Sequence, residues 1–570
     1  MKGRSFVLSA IILALGGFFA KAIGALYKIP LTNILGSSGM GLYYLVFPIY
    51  SLFITICSSG INVALATEVA KCRKVRHRYN EQKLLRVGLY ISFLLSLIFT
   101  IITLLISFPV AELQGNINAR FGYVAIAPAI IISSIIATLR GYFQGVENMV
   151  PTTVSLIVEQ IVKLSFGLIL AHKLCNFGIQ YAVLGAIIGV TISEVVALVI
   201  ISINFLTFRG QLYYNYRNKY YRAKKHILIK NNNVKLIKKC KQHKLSHRYV
   251  CNKPSARLTT KDAIKRIIKV FAPATFSSIV LPIATMLDSF LLINLLVSSG
   301  LSSTVSTSLY GLWSGVVQTI ISLPIIVIAG VSTAIVPSLS GVVAGQNVAQ
   351  VNKRVMFFIK VTLVLAVFMF AVVFVFAEDI LYFLYGNGLG NSVVNELEYA
   401  TKMLQMSSVS IIYYALLQTF TAILQSIGKS CIPLISMAVG LVIRIALTIV
   451  LVRVDSINIF GVVVSNTVFL GIVIIALSFY IRSKVELDYK LMKELLYPIL
   501  IGGMVLVGMR LMHSGLSLVV NYFVSMVISV VLGLVVYLIW VLFSKIFTRK
   551  EKNDFLIKRA KKIKSNTKSC

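Results

Sequence analysis

The residues able to do chemistry in this chain are charges placed inside apolar runs. Lys21 and Lys28 lie in the first such run, seven residues apart, which puts both on one helix face. Lys28, toward the end of that run, could instead snorkel to the membrane interface. Glu159 and Lys163 stand four apart in the fifth run, where they either pair with each other or leave the lysine for an anionic ligand. Arg444 has no acid three or four residues away on its own helix. A bare guanidinium in hydrocarbon is expensive, so it needs an acid on another helix or an anionic ligand. The acids within runs are Glu68, Glu159, Glu194 and Asp288. Buried carboxylates can bind cations, exchange protons or sodium, or pair with the buried bases. Cys240, His243, His247 and Cys251 have a spacing that could close around zinc, but they sit in a lysine-dense stretch whose field repels cations. That stretch is expected to be a metal-free linker, and replacing Cys240 and Cys251 by serine is expected to leave function intact. No His/Glu metal motif and no Ser/His/Asp arrangement is apparent, and no loop except the basic one is long enough to house catalysis. An enzyme is not expected, nor is any cofactor.

The elements that position these charges are membrane helices. With 58% hydrophobic residues, 13% charged residues and a mean hydropathy of +0.87, the chain is too apolar for a soluble protein. Continuous runs of about 20 apolar residues select helices over a barrel, because lipid offers the backbone no hydrogen-bond partner. Fourteen runs are expected to cross: 5–29, 42–69, 88–108, 121–143, 151–173, 181–205, 270–296, 305–336, 355–376, 398–424, 433–452, 461–481, 495–512 and 518–544. The first is too long for a signal-peptide core and lacks a cleavage site after it, so it is expected to remain as a helix.

The net charge of +38 reads as topology rather than as nucleic-acid binding. With the N-terminus inside, the inner side collects 47 of the 56 Lys and Arg residues, Arg140 and Lys360 counted there, and the outer side only five. Both termini are therefore expected in the cytoplasm, and cysteine labelling should find Asn391 outside and Lys238 inside. The stretch 206–269 has no apolar periodicity and reads as a solvated basic linker. It and the tail at 548–570 could also attract anionic lipid head groups.

The linker separates two similar halves. Leu42-Tyr43 and Leu45 recur as Leu309-Tyr310 and Leu312, an offset of 267. The turn from Gln144 to Pro151 recurs from Gln425 to Pro433, and this second offset, 281 or 282, carries Lys163 to 444 or 445, where Arg444 stands. Repeats in one membrane orientation imply an axis along the membrane normal with a substrate path between the halves.

LRGYFQGVENMVPTTVSLIVEQIVK, KAIGALYKIPLTNILGSSGMGLYYLVFPIYSLF and LPIIVIAGVSTAIVPSLS resemble the stage V sporulation protein B and YtgP/MurJ-like polysaccharide flippases of the multidrug/oligosaccharidyl-lipid/polysaccharide (MOP) superfamily. The resemblance implies an all-α protein with two six-helix lobes, at 1–205 and 270–481, and two further helices within 482–547. It implies movement of a lipid-linked cell-wall precursor between leaflets by alternating access, in peptidoglycan or spore-cortex synthesis, in a bacterial cytoplasmic membrane beside cell-wall synthesis enzymes. It also implies that Lys21, and less directly Lys28, meets a pyrophosphate, with Lys163 and Arg444 as further substrate contacts. Glu159, Glu194 and Asp288 are left for ion coupling or structural pairing. One departure is the second span, where ICSSGINVA has only Ser58, Ser59 and Asn62 in place of the arginine of related lipid II flippases. A cation-coupled multidrug exporter of the same superfamily is the second reading, because it would use the buried carboxylates without needing cavity lysines.

Overall fold

The computed structural model describes residues 2–74, 77–230, 258–343, 348–386, 395–429, 431–454, 456–484 and 490–544. Among them the regular structure is helical throughout, and 13 stretches are long and apolar enough to cross a membrane. The first stretch, Leu15–Arg73, is 59 residues long, about twice what one crossing needs. It holds two crossings, so the fourteen expected spans are all present.

The first span, α1 (Lys2–Leu26), runs into α2 (Lys28–Ile54) with an interruption at Tyr27. Pro30 has no N–H to return to Leu26, which accounts for the missing bond. The chain turns sharply at Gly36, whose φ of 66° and ψ of −176° belong to a region open essentially to glycine alone. Five residues in π geometry, Thr55–Ser59, lead into α3 (Gly60–Lys74). The half continues through α4 (Arg78–Leu113), α5 (Ala119–Gly145), α6 (Val150–Cys175) and α7 (Ile179–Lys230). The stretch 206–269, expected as linker, is helical as far as Lys230, because α7 simply continues beyond the membrane span. The Cys240, His243, His247 and Cys251 group lies outside the described residues, as do Lys238, Asn391 and the tail.

The second half comprises α8 (Thr260–Ser298), α9 (Ser303–Gly311), a π segment (Leu312–Val317), α10 (Gln318–Val343), α11 (Val348–Val375), the short α12 (Ala377–Tyr385), α13 (Glu396–Ser426), α14 (Cys431–Val452) and α15 (Phe460–Lys484). A hairpin of α16 (Lys490–Leu516) and α17 (Tyr522–Phe543) follows.

The buried residues show how the halves meet. At the end of the bundle away from the basic loops, one continuous core takes Leu31, Tyr43 and Tyr123 from the first half together with Leu292, Trp313, Tyr385 and Met403 from the second. Toward the basic end this core divides. Ile61, Leu65, Leu84 and Phe143 form one cluster, and Ile335, Ile359, Phe420 and Phe469 another. The first of these also takes Leu258, Ala263 and Ile267, so α8 begins against the first half and ends in the shared core. Polar contacts reinforce the shared end: Tyr310 donates to the Tyr44 carbonyl at 3.0 Å, the Asn33 amide donates to the Leu384 carbonyl at 2.9 Å, and Ser37 donates to the Glu396 carboxylate. The halves thus share one core at this end and have separate clusters at the other, with the start of α8 joining that of the first half.

Candidate substrate and ion site

The first half holds a half-open cavity with polar and charged side chains in its lining, in two adjoining parts. One, of about 200 Å³, is lined by Tyr50, Ser51, Lys163, Ser193 and Glu194; the other, of about 320 Å³, by Ser58, Ser59, Asn62, Ser133 and Arg140. Ile54, Thr55, Glu159 and Glu194 border both.

The wall between α6 and α7 follows from small residues. A Cβ on Gly189 would lie 2.4 Å from the Gly167 Cα, so the two backbones cross in direct contact. Lys163, one turn before Gly167, and Glu194, five residues after Gly189, then face the same space. The opposite wall follows from the turn at 146–149, where α5 ends and Pro151 restarts α6 at its first turn. Helices joined so tightly are neighbours, and Arg140 reaches across from α5. Its Nε donates to Ser155 Oγ at 2.9 Å and its Nη2 to Glu159 Oε2 at 2.8 Å. Gln160 Nε2 donates to the other oxygen of Glu159 at 3.0 Å.

This arrangement revises the sequence reading. Glu159 pairs with Arg140, not with Lys163, and Arg140 and Lys360, counted with the inner surface, are both largely buried. Lys163 instead rests against aromatic faces, its Nζ 4.9 Å from the centroid of Phe47 and 5.5 Å from that of Tyr27. Among the described residues it has no carboxylate within salt-bridge distance. Glu194 is 8% exposed, and Tyr50 donates to it weakly at 3.4 Å. An ammonium and a carboxylate therefore share a cavity without pairing. Lys28 lies near enough for its charge to act on Lys163, and its Nζ stands 5.2 Å from the Tyr44 ring centroid. Lys21 is exposed on α1.

Arg444 is held in the second half. Its Nη2 donates to Asp288 Oδ2 at 2.6 Å, the guanidinium 7% and the carboxylate 16% exposed. The acid that Arg444 required is on α8, 156 residues away in sequence. Arg444 Nε keeps no hydrogen-bond partner. Lys163 and Arg444 thus occupy equivalent spans of the two halves, as the repeat implies, but only the second is ion-paired. Glu68, at the basic end of α3, pairs with Lys71.

A Ser/His/Asp grouping, which was not apparent in the sequence, also exists: Ser525, His513 and Asp379 converge from α17, α16 and α12. All three are buried and none lines the cavity, so the grouping does not form a catalytic site there. No group of three or more metal-ligating side chains occurs among the described residues.

These features define a multi-pass all-α membrane protein with two halves and an internal polar site. A family profile described as polysaccharide biosynthesis protein matches residues 6–343, more than half of the chain, and the chain belongs to that family, within the MOP superfamily. A second profile, MatE, matches residues 273–450. Stage V sporulation protein B of Bacillus subtilis (strain 168) is 24% identical over 462 residues, covering 81% of this chain and 80% of that protein. Lipid II flippase MurJ of the same organism is 23% identical over 454 residues, covering 78% and 76%. Among solved structures, lipid II flippase MurJ in an inward closed conformation superposes with a TM-score of 0.66 at 16% identity, covering 93% of this chain and 98% of that one. An inward-facing multidrug resistance MATE transporter gives 0.63 at 16% identity, covering 83% and 95%. The structural likenesses show the shared fold.

Proposed function

We propose that the protein is a flippase, not an enzyme, and that it carries a lipid-linked cell-wall precursor, a lipid II-like undecaprenyl-pyrophosphate glycan, across a bacterial cytoplasmic membrane by alternating access. The carrying observation is Lys163, a lysine in an internal cavity whose nearest acid on the same helix is already taken by Arg140. A cation left open inside a transport protein suits an anionic head group. Lys28 adds a second positive charge nearby, and two cations hold a pyrophosphate better than one. Lys21 completes the approach along α1, and Arg444 offers its open Nε from the second half. Glu194 is the carboxylate left for ion coupling, Glu159 and Asp288 having structural partners in Arg140 and Arg444.

The lobes extend over 1–205 and 270–481 with the hairpin inside 482–547, both termini face the cytoplasm, and the basic segments at 206–269 and 548–570 meet anionic lipids there. Cell-wall synthesis enzymes are the natural neighbours of such a carrier. The test is complementation of a strain depleted of its lipid II flippase: rescue by the wild-type chain, lost with Lys163→Ala and retained in part with Lys163→Arg, supports the reading. Normal rescue by a well-expressed Lys163→Ala protein refutes it.

The second reading, a cation-coupled multidrug exporter, is favoured by one observation, the unpaired Glu194 carboxylate in the same cavity. Transport of a cationic dye, abolished by Glu194→Gln and indifferent to Lys163→Ala, would select it.

A further inference from the structure

One face of α2 serves two purposes along its length. Phe47, Ser51 and Thr55 line the cavity, and the same stripe, followed away from the basic end in steps of three and four residues, passes through Tyr44, Gly41 and Ser37. Over that outer stretch it meets α9, which follows α8 in the second half. A Cβ on Gly311 would fall on the Ser37 carbonyl, and one on Gly41 would fall on the Thr307 carbonyl. The two backbones therefore touch with no side chain between them.

Three polar contacts frame the crossing. Ser37 donates to the Glu396 carboxylate, Tyr310 donates to the Tyr44 carbonyl at 3.0 Å, and Ser303 donates to the Gly115 carbonyl at 3.1 Å. Pro48 makes the second of these possible, because it has no N–H to return to the carbonyl four residues back, which is that of Tyr44. Glu396 is 3% exposed and stands in the first turn of α13, where the helix end favours its negative charge. On its other side α2 is fixed to its own half, the Leu45 carbonyl accepting from Tyr123 at 2.8 Å and from Gln114 at 3.2 Å. By contrast α9 packs on α2 and α8 and runs directly into the π segment Leu312–Val317, a helix irregularity of the kind that recurs at functional sites. A crossing built this way parts at little cost. Its glycines carry no interlocking side chains, and water can replace each partner of its hydrogen bonds.

We propose that the α2–α9 crossing is the outer gate of the cavity, shut in this structure, latched by Glu396 and Tyr310, and parting when the cavity opens to the outside. The proposal rests on the alternating-access reading given above, and the basic-residue count supplies which side is outside. Glu396 is then a latch residue that holds one half to the other without touching the cargo.

The test is thiol labelling from outside intact cells with a membrane-impermeant maleimide, on the full chain with its native cysteines replaced and its membrane yield verified. Thr307 is 3% exposed and its side chain lies against Gly41, so Thr307→Cys reports the crossing directly. It should react far more slowly than Phe177→Cys, whose position at the turn between α6 and α7 is 73% exposed. Adding Glu396→Ala should speed the reaction at Thr307→Cys by roughly ten- to hundredfold, the worth of a hydrogen bond to a charged group, and adding Tyr310→Phe should speed it by about two- to tenfold. Ala186→Cys, fully buried on α7 where that helix packs on α2, α5 and α6, should stay unreactive in both backgrounds, which separates a parting gate from general loosening. If Glu396→Ala does not reach the membrane, Tyr310→Phe decides the matter. The labelling needs no cargo, so it can fail while complementation succeeds, and the reverse. Unchanged reaction at Thr307→Cys in the variants that reach the membrane, or reaction at Ala186→Cys that rises along with it, would overturn the proposal.

Discussion

Arg444→Ala is the most informative single change, because the structure supplies both the partner and the cost. The variant would leave the Asp288 carboxylate, 16% exposed, without the guanidinium that stands 2.6 Å away. Removing one member of a buried ion pair typically costs about 3–5 kcal/mol. At about 1.4 kcal/mol per decade, that raises the unfolded population by roughly two to three and a half orders of magnitude. The alanine variant should therefore be recovered from membranes in low yield and unfold at markedly lower temperature in detergent. Asp288→Asn added to Arg444→Ala should restore most of the loss, since two neutral groups need no pairing. Arg444→Lys should fall between, keeping the charge but losing the planar fork. The sequence by itself allows another outcome, in which Arg444→Ala reaches the membrane normally and fails only in transport. Yield, melting temperature and transport measured on the single and double variants separate the two. A stable Arg444→Ala protein, or an Asp288→Asn substitution that rescues nothing, would refute the pairing argument.

Arg140→Ala should destabilise the first half by the same mechanism, and Glu159→Gln should suppress it; a double-mutant cycle in melting temperature reads the coupling. Gly36→Ala should cost about 1–3 kcal/mol, because its dihedrals lie where only glycine is at ease, and the thermal midpoint reports the loss. Gly189→Val should separate α6 from α7 and distort the cavity, lowering transport more than a valine at the open position of Gly508. Cys240→Ser with Cys251→Ser should leave transport and metal content unchanged, and bound zinc lost together with activity would reverse that view.

Much of the architecture was legible because hydropathy is a local property. Each run of apolar residues must bury its own backbone hydrogen bonds in lipid, so the fourteen crossings follow from composition and length alone. The repeat was legible for a similar reason, since Lys163 and Arg444 recur at matching offsets. The π segments were not foreseen, and neither was the extension of α7 to Lys230, where the residues beyond the span show no apolar period.

Pairing was the part that sequence could not settle. Spacing made Glu159 and Lys163 natural partners, four apart on one helix, yet Glu159 turns to Arg140 because a tight turn sets α5 against α6 and a guanidinium reaches further across that gap. Distance along the chain likewise hid Asp288 from Arg444 and gathered Asp379, His513 and Ser525 from three helices. The sequence by itself determined an all-α membrane protein with charges buried in both halves. Only tertiary packing decided which of them neutralise one another and which are left without an ionic partner, because an ion pair is a contact between helices and spacing along one helix does not record it.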